Sequence, residues 1–214
     1  MKTGNRLSIV AVVIVGLALG CIGVPASAES TASDLQERWF MLGYSFDVSD
    51  TSDEILVFRL LLQDVSTPEV ISLVRQWADD EVTKEQVRAT LLDALRTQGD
   101  LASLEAFLLG EWVSNVEDAV IDLQEGAQAD SERKIFVAIE RANELAYLAE
   151  HFLDVFAGDV PTDVEQALEQ IAARAQTIDV AGLIGGTADV RGTLDAIFDL
   201  YDDCAVIKDS YIGD

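Results

Sequence analysis

Apolar residues recur at intervals of three and four along the chain from Asp34 to Ala205, and they do not alternate with polar ones. This spacing places apolar side chains on one face of an α-helix, whereas a half-buried strand has a period of two. The pattern therefore predicts an all-α fold in which about eight helices pack as a bundle. Pro68 and Pro161 both stand where predicted helices begin, as the fixed backbone angle of proline favours.

The first two helices are predicted from periodicity alone, over about residues 31–45 and 51–64. Their expected buried residues are Leu35, Trp39 and Leu42 in the first helix, and Ile55, Phe58, Leu61 and Leu62 in the second. Acidic and hydroxyl side chains fill residues 47–54, between these two helices. Helix capping by Asp50 or Ser52 is the simplest interpretation of that segment.

The third and fourth helices have clear start signals. The third begins at a cap on Ser66 or Thr67, has Pro68 in its first turn and runs to about Asp79. Its predicted buried residues are Val70, Leu73, Val74 and Trp77. Residues 83–86 read Thr-Lys-Glu-Gln, a capping box that opens a helix ending at Gly99. The short connection at 79–82 predicts a packed helical hairpin.

Two long helices are predicted next, over about residues 100–125 and 131–157, and they are expected to stop at Gly126 and Gly158. Each would span about 40 Å, so the two are predicted to form the central antiparallel pair of the bundle. The expected buried residues are Leu104, Leu108, Trp112, Val116, Val120 and Leu123 in the first, and Ile135, Phe136, Ile139, Ala142, Leu145, Ala146, Leu148, Ala149, Phe152 and Phe156 in the second.

The last two helices are predicted to start at Thr162 and near Thr187. Residues 180–186, between them, are rich in glycine and are interpreted as a flexible connector. They lack the Lys-Ser/Thr pair of a phosphate-binding loop, and they follow a helix rather than a strand. No internal repeat or low-complexity linker divides the chain.

The N-terminus has the pattern of a secretory signal. Lys2 and Arg6 precede an uncharged apolar run over residues 7–24, and small residues follow at 26–28. Residues 1–28 are therefore predicted to be a signal peptide, with residues 29–214 as an exported acidic helical domain. Two alternatives remain open: lipid attachment at Cys21 after cleavage at a lipobox-like Leu-Gly-Cys, or an uncleaved membrane anchor. Membrane contact is expected only through such an anchor.

The charge is strongly acidic, with 39 Asp and Glu against 14 Lys and Arg and a formal net charge of −25. The acids are spread over residues 29–214, which excludes nucleic acid as a partner because a phosphate backbone requires a basic surface. Such a surface is typical of proteins adapted to high salt, and it also fits an ordinary solubilised exported protein.

Few residues are candidates for catalysis. His151 is the one histidine, and the residue three before it is Leu148, so the paired Glu-x-x-His motif of a di-iron site is missing. Without a nucleophile motif, His151 is interpreted as a surface residue beside Glu144 and Asp154. Cys204 is interpreted as a half-buried structural thiol whose pKa is raised by Asp202 and Asp203.

Carboxylates are the remaining candidates. Glu111 stands beside Trp112 and could act in a hydrolase cleft, but it is interpreted as an exposed helix-edge residue. Residues 47–54 resemble a calcium loop, although the sixth position lacks glycine and the twelfth, Phe58, cannot be an acidic ligand. A weak cation site is left open there or at a second acidic group, Asp199, Asp202, Asp203 and Asp209.

The sequence thus predicts an exported binding or structural protein that acts on an unknown protein or small ligand outside the membrane. It assigns no catalytic residue and no cofactor, and it leaves metal binding open. The main alternative is a small-ligand or divalent-cation binder with a pocket between the long helices, and a pocket lined by Trp39, Trp77 or Trp112 with converging polar groups would favour it. A carboxylate hydrolase is the third hypothesis.

Overall fold

A computed structural model of the chain describes residues 31–48, 51–63, 65–156 and 160–212. Within these ranges there are nine helices and no strand, which confirms the all-α prediction. The helices are α1 Thr31–Val48, α2 Ser52–Leu62, α3 Pro68–Ala78, α4 Lys84–Gln98, α5 Leu101–Gln128, α6 Glu132–Phe156, α7 Thr162–Ala175, α8 Val180–Gly185 and α9 Val190–Ile212. The predicted signal segment and the predicted stop at Gly158 lie outside the described residues.

Side-chain caps fix the starts of the first helices. Thr83 and Gln86 form the predicted capping box of α4, with each side chain bonded to the other residue's backbone N–H. Thr67 caps α3, and Pro68 follows it directly. At α2 the prediction was wrong: the cap is Thr51, which forms a second capping box with Glu54, so neither Asp50 nor Ser52 is needed there.

The ends of α4 and α5 depend on backbone conformation. Gly99 ends α4 at φ 71°, a left-handed conformation that glycine adopts without strain. The predicted stop of α5 at Gly126 was wrong, because α5 continues to Gln128 and the chain turns at Asp130, with φ 50°. A Cβ atom on Gly126 would lie 3.0 Å from the backbone N of Ile135, so this glycine lets the start of α6 pack against α5.

The segment interpreted as a flexible connector forms a short helix instead. Residues 180–185 are α8, and the Asp179 side chain caps it by accepting a hydrogen bond from the N–H of Gly182 at 2.7 Å. The next helix, α9, begins at Val190 rather than near Thr187. The capping Asp179 was the sequence signal for this helix, but the glycines that follow it favoured the interpretation as a connector.

Four helices, α5, α6, α7 and α9, form an up-down-up-down bundle. The indole N–H of Trp112 on α5 donates to the carbonyl of Leu145 on α6 at 2.9 Å, and Arg141 of α6 pairs with Asp122 of α5. Contacts that run in opposite directions along the two helices show that they are antiparallel. The predicted pairing of the two long helices is thus confirmed, while α7 and α9 complete the ring.

The first helix, α1, lies on the bundle at the junction of α5 and α9. The ring of Phe40 on α1 stacks on Tyr211 of α9 with 4.6 Å between centroids. Gly43 of α1 and Gly110 of α5 mark the point where the two helices cross. A Cβ on Gly43 would lie 1.9 Å from the carbonyl O of Phe107, and one on Gly110 would lie 2.0 Å from that of Phe40.

An aromatic cluster joins the small helices to the bundle. The ring of Phe46 on α1 lies 5.3 Å from Phe58 of α2, 5.4 Å from Trp77 of α3 and 5.9 Å from Phe107 of α5. Arg88 of α4 forms an ion pair with Glu111 of α5. Residues Leu35–Asp214 form one compact unit.

Most predicted core residues are buried or partly buried, and two of them are exposed. Leu35 is 36% exposed because it lies one turn before Trp39, the first buried residue of α1. Leu148 is 45% exposed because it lies on the outer face of α6, one turn from Glu144. In the parts of the chain that the structure describes, every helix is too short or too polar to cross a membrane.

Candidate functional site

His151 lies on the outer face of α6, where its side chain is exposed, as predicted. Glu144 and Asp154 are exposed as well. Tyr147, Leu148 and Val155, which are between 45% and 55% exposed, surround the histidine along the helix. His151 is therefore part of a small exposed apolar patch.

Cys204 is fully buried on α9, deeper than the predicted half-buried position. Burial raises the pKa of the Cys204 thiol most strongly, and the negative charges of Glu117 and Asp203 raise it further. The predicted direction is confirmed, but the main cause is desolvation, and Asp202 is exposed on another side of the helix. A neutral, enclosed thiol is a structural residue.

Glu111 is held by an arginine rather than facing an empty cleft. Its two carboxylate oxygens accept hydrogen bonds from Nε and Nη2 of Arg88 at 2.6 and 2.7 Å, and its side chain is 15% exposed. The interpretation of Glu111 as an exposed residue was therefore wrong. The hydrogen bond that Arg88 donates to Glu111 raises the pKa of the Arg88 guanidinium. The neighbouring Trp112, like Trp39 and Trp77, is buried in the core.

An arginine pairs with two of the four residues in the second acidic group. Arg174 of α7 donates from Nη1 to Asp199 and from Nε to Asp203, both at 2.6 Å, and these bonds tie α7 to α9. Asp202 and Asp209 are exposed. No group of three or more His, Cys, Asp or Glu within the described ranges could hold a metal ion. The side chains of Asp47, Asp50 and Asp53 lie outside the described residues.

A buried polar network that the sequence did not reveal joins α1, α5 and α9. Glu117 of α5 is 5% exposed, and its two oxygens accept hydrogen bonds from the Tyr44 hydroxyl at 2.5 Å and from Lys208 Nζ at 2.7 Å. The ammonium of Lys208 also lies 5.3 Å from the centre of the Tyr44 ring. Burial, followed by the charge of Glu117, raises the pKa of Tyr44 strongly.

An exposed apolar stripe begins where α1 ends. Val190, Leu194, Phe198 and Tyr201 follow one another at helical spacing on α9, and we call these four residues the α9 stripe. Val190 is 55% exposed, Phe198 37% and Tyr201 40%, while Leu194 is partly buried against the core. On α5 the partly buried Ile121, one turn after Glu117, lies on the helix face that meets α1 and α9.

The α9 stripe extends the surface of α9 against which α1 packs. Along α9, Tyr211 meets Phe40 and Lys208 meets Tyr44, so α1 and α9 run antiparallel. Tyr201 and Asp118 are near enough to raise the pKa of Tyr44, although burial and Glu117 contribute more. The helix α1 ends only four residues after Tyr44. The nine residues from Val190 to Phe198 extend about 12 Å farther along α9.

A cleft lies at the turn between the two long helices. It has a volume of about 510 Å³ and is lined by Asp122 and Glu125 of α5 and by Arg133, Lys134 and Arg141 of α6, together with Ser131, Val137 and Ala138. It is the predicted kind of location, between the long helices, but its lining is charged and contains none of the three tryptophans.

No family model matches the chain, and neither a curated protein nor a solved structure is similar to it. The α9 stripe and the α5–α6 cleft are therefore the two candidate sites; the stripe lies on α9, and the cleft is formed by α5 and α6.

Proposed function

We propose that the chain is an exported, acidic, helical binding protein without chemistry of its own, and that it holds an amphipathic helix of a partner protein on the α9 stripe. The proposal rests on the exposure of Val190, Phe198 and Tyr201, which follow along α9 from the surface that α1 covers. Large aromatic side chains that remain exposed in a row are typical of protein interfaces.

The packing of α1 on α5 and α9 indicates what kind of segment would fit on the α9 stripe. The chain's own α1 packs against α5 and α9 through one apolar face, including Phe40 stacked on Tyr211. A second helix laid end to end with α1 would meet the same kind of surface, with Phe198 and Ile121 in place of Tyr211 and Gly110. Helix-in-groove binding uses apolar anchors at spacings of three and four.

The charge of the protein determines the polar face of that partner. Acidic residues outnumber basic residues 39 to 14, and Asp118 lies beside the stripe on α5. A partner helix with Lys or Arg along its flanks is attracted, whereas an acidic helix is repelled. The expected partner is therefore a basic amphipathic helix of another exported protein.

Photochemical cross-linking in the native host tests this proposal. A benzoylphenylalanine at position 198 should give one discrete adduct, and its mapped peptide should be a basic amphipathic helix. The same group at Val206, an equally helical and 45% exposed position on another side of α9, should not give that adduct.

Two matched charge substitutions complete the test. Val190→Asp should lower the yield of the position-198 adduct about tenfold, because it places an unpaired carboxylate in an apolar contact. Val206→Asp, the control, should leave the yield unchanged. Absence of an adduct, an acidic mapped peptide, or equal effects of the two substitutions would each contradict the proposal.

The hydrolase hypothesis has less support. Both oxygens of Glu111 are occupied by Arg88, so this carboxylate is not positioned as a proton donor in an open apolar cleft. The small-ligand hypothesis is favoured by one feature, the α5–α6 cleft, whose lining combines basic, acidic and apolar side chains.

A further inference from the structure

Two basic residues of the α5–α6 cleft are not explained by the stability of the fold. Arg133 and Lys134 stand in the first turn of α6, where the helix dipole favours acidic rather than basic side chains. Both side chains are exposed and line the cleft. Within the described ranges neither forms an ion pair, although the sequence has 39 acidic residues against 14 basic ones. Their two charges are therefore available to a ligand in the cleft.

The acidic residues of the cleft already have partners. Asp122 pairs with Nη1 of Arg141 at 3.4 Å, and Asn115 Oδ1 accepts a hydrogen bond from Nη2 of the same guanidinium at 2.9 Å. Glu125 is engaged in an interaction of its own as well. The charges of Asp122 and Arg141 therefore balance each other within the fold. The charges of the lining that remain unbalanced are those of the two exposed cations, which attract an anion.

An apolar surface lies one helical turn from these two cations. Val137 follows Arg133 by four residues, and Ala138 follows Lys134 by four, so these side chains share one face of α6. Val137 is 55% exposed and lines the cleft. Because a helical turn rises about 5.4 Å, the cleft presents a cationic end and an apolar wall about that far apart.

The number of charges distinguishes the classes of anion that could bind there. The protein has a formal net charge of −25, so an anion with several charges is repelled by the rest of the surface and gains only two cations in the cleft. A phosphate group has a charge of about −1.5 to −2 at neutral pH. A carboxylate has a single charge, and the planar guanidinium of Arg133 matches its two oxygens. The lining therefore favours a carboxylate over a phosphate.

From this arrangement we infer that the α5–α6 cleft binds an apolar carboxylate. Arg133 and Lys134 bind the carboxylate group, and Val137 and Ala138 contact the apolar chain. Two sources have this chemistry: a free short-chain fatty acid and the C-terminal residue of a polypeptide. The cleft volume of about 510 Å³ is within the range of small-molecule sites. The inference does not depend on the α9 stripe or on the partner helix proposed for it.

Isothermal titration of the purified protein with matched probes tests the two parts of the site. 4-Methylpentanoate should bind at least about tenfold more tightly than 4-methylpentanamide, which has the same shape without the charge, and than acetate, which lacks the apolar chain. Equal affinity for the acid and either of these two probes, or no binding of the acid up to about 10 mM, would overturn the inference. N-Acetyl-L-leucine distinguishes the sources: tighter binding than 4-methylpentanoate indicates a polypeptide C-terminus, and weaker binding indicates a free acid.

Substitutions then test whether binding occurs in this cleft. The double substitution Arg133→Gln and Lys134→Gln changes two exposed side chains, so folding should be preserved. It should weaken 4-methylpentanoate binding about tenfold and leave 4-methylpentanamide unaffected. The matched control, Arg96→Gln with Arg191→Gln, removes the same charge from exposed positions outside the cleft and should leave both ligands unaffected. If the first pair binds the acid like the unaltered protein, or if both pairs weaken it equally, the cleft is not the site.

Discussion

Two glycines determine how closely α1 approaches the bundle. At the crossing, Gly43 and Gly110 let the backbone of each helix contact a carbonyl of the other. A residue with a side chain at either position would not allow so close an approach. Such close crossings allow Cα–H groups to contact carbonyl oxygens and bring the flanking side chains together. The neighbouring Phe40 and Tyr44 contacts with α9 therefore depend on residues that carry no side chain.

The substitution Gly110→Ala tests this crossing. Its Cβ would lie 2.0 Å from the carbonyl O of Phe40, so α1 must move away, and we expect a loss of about 3 kcal/mol in the free energy of unfolding. Gly185→Ala is the matched control, because the nearest atom to its Cβ is 3.8 Å away. Urea denaturation measures both, and similar losses in the two variants would refute the explanation.

Tyr211 gives the protein a specific sensitivity to alkaline pH. Burial, with a smaller contribution from Glu105, raises its pKa to about 12, whereas a tyrosine in an unfolded chain ionises near pH 10. Because the pKa is raised on folding, its full contribution to stability is present below pH 10 and is lost as the pH rises toward 12. Tyr211 should contribute about 1.4 kcal/mol per pH unit to the slope, in addition to the contributions of Tyr44 and Cys204, whose pKa values are also raised by burial.

Urea denaturation at a series of pH values from about 9 to 11.5 measures this slope. Tyr211→Phe should lose stability less steeply than the unaltered protein, since the variant has no phenol to ionise. The exposed Tyr147→Phe is the control and should keep the original slope. An unchanged slope in Tyr211→Phe would mean that other groups account for the alkaline sensitivity.

At the scale of whole helices, the attachment of α1 combines an apolar contact with a buried ion pair. Lys208 neutralises Glu117, which also accepts the Tyr44 hydroxyl, so the three helices meet around one carboxylate. Such a network favours one arrangement of α1 over others, although replacing the whole pair with apolar residues often costs little.

A double-mutant cycle tests this balance. Lys208→Met leaves Glu117 buried without its cation and should lower the free energy of unfolding by about 2 kcal/mol, less than for a fully enclosed pair because Lys208 is 29% exposed. The double substitution with Glu117→Leu should be less destabilised than Lys208→Met alone. Additive losses in urea denaturation would show that the two residues do not act as a pair.

Local signals explain why most helices could be predicted from the sequence. The Thr83–Gln86 capping box, Pro68 and Gly99 act within one turn of the chain, and their effects were readable. The buried network could not be predicted from such signals. Tyr44 is 73 residues from Glu117, and Glu117 is 91 residues from Lys208, so only the folded bundle brings them together. The same holds for Gly110, whose neighbour is a backbone atom of another helix.

The candidate surfaces were less predictable than the fold. The three tryptophans fill the core, whereas the α5–α6 cleft is lined by charged residues of the two long helices. The α9 stripe resembles any core face in the sequence. Its exposure results from the point at which α1 ends, a property of packing.

For the molecule as a whole, the net charge of −25 opposes compaction. Salt screens repulsion between exposed carboxylates beyond about 10 Å at 0.1 M. Raising sodium chloride from about 0.05 to 2 M should therefore raise the melting temperature by roughly 3–6 °C, or about 1–2 kcal/mol. A melting temperature that stays constant or falls would contradict this view and the salt-adaptation hypothesis together.

Calcium at matched ionic strength is the control for that experiment. An equal rise with both salts indicates screening alone. A larger rise with calcium would favour the divalent-cation hypothesis, for which the described residues provide no cluster of three acidic ligands.

Cys204 has a final consequence, for kinetics. Its sulfur is completely enclosed where α9 meets the rest of the bundle, so a thiol reagent can react only after α9 separates. If reclosing is faster than labelling, the rate of modification follows the population of opened molecules. The rate at which a reagent labels Cys204 therefore reports how often the bundle opens. That rate should rise with any change that weakens the packing of α9 on its neighbours.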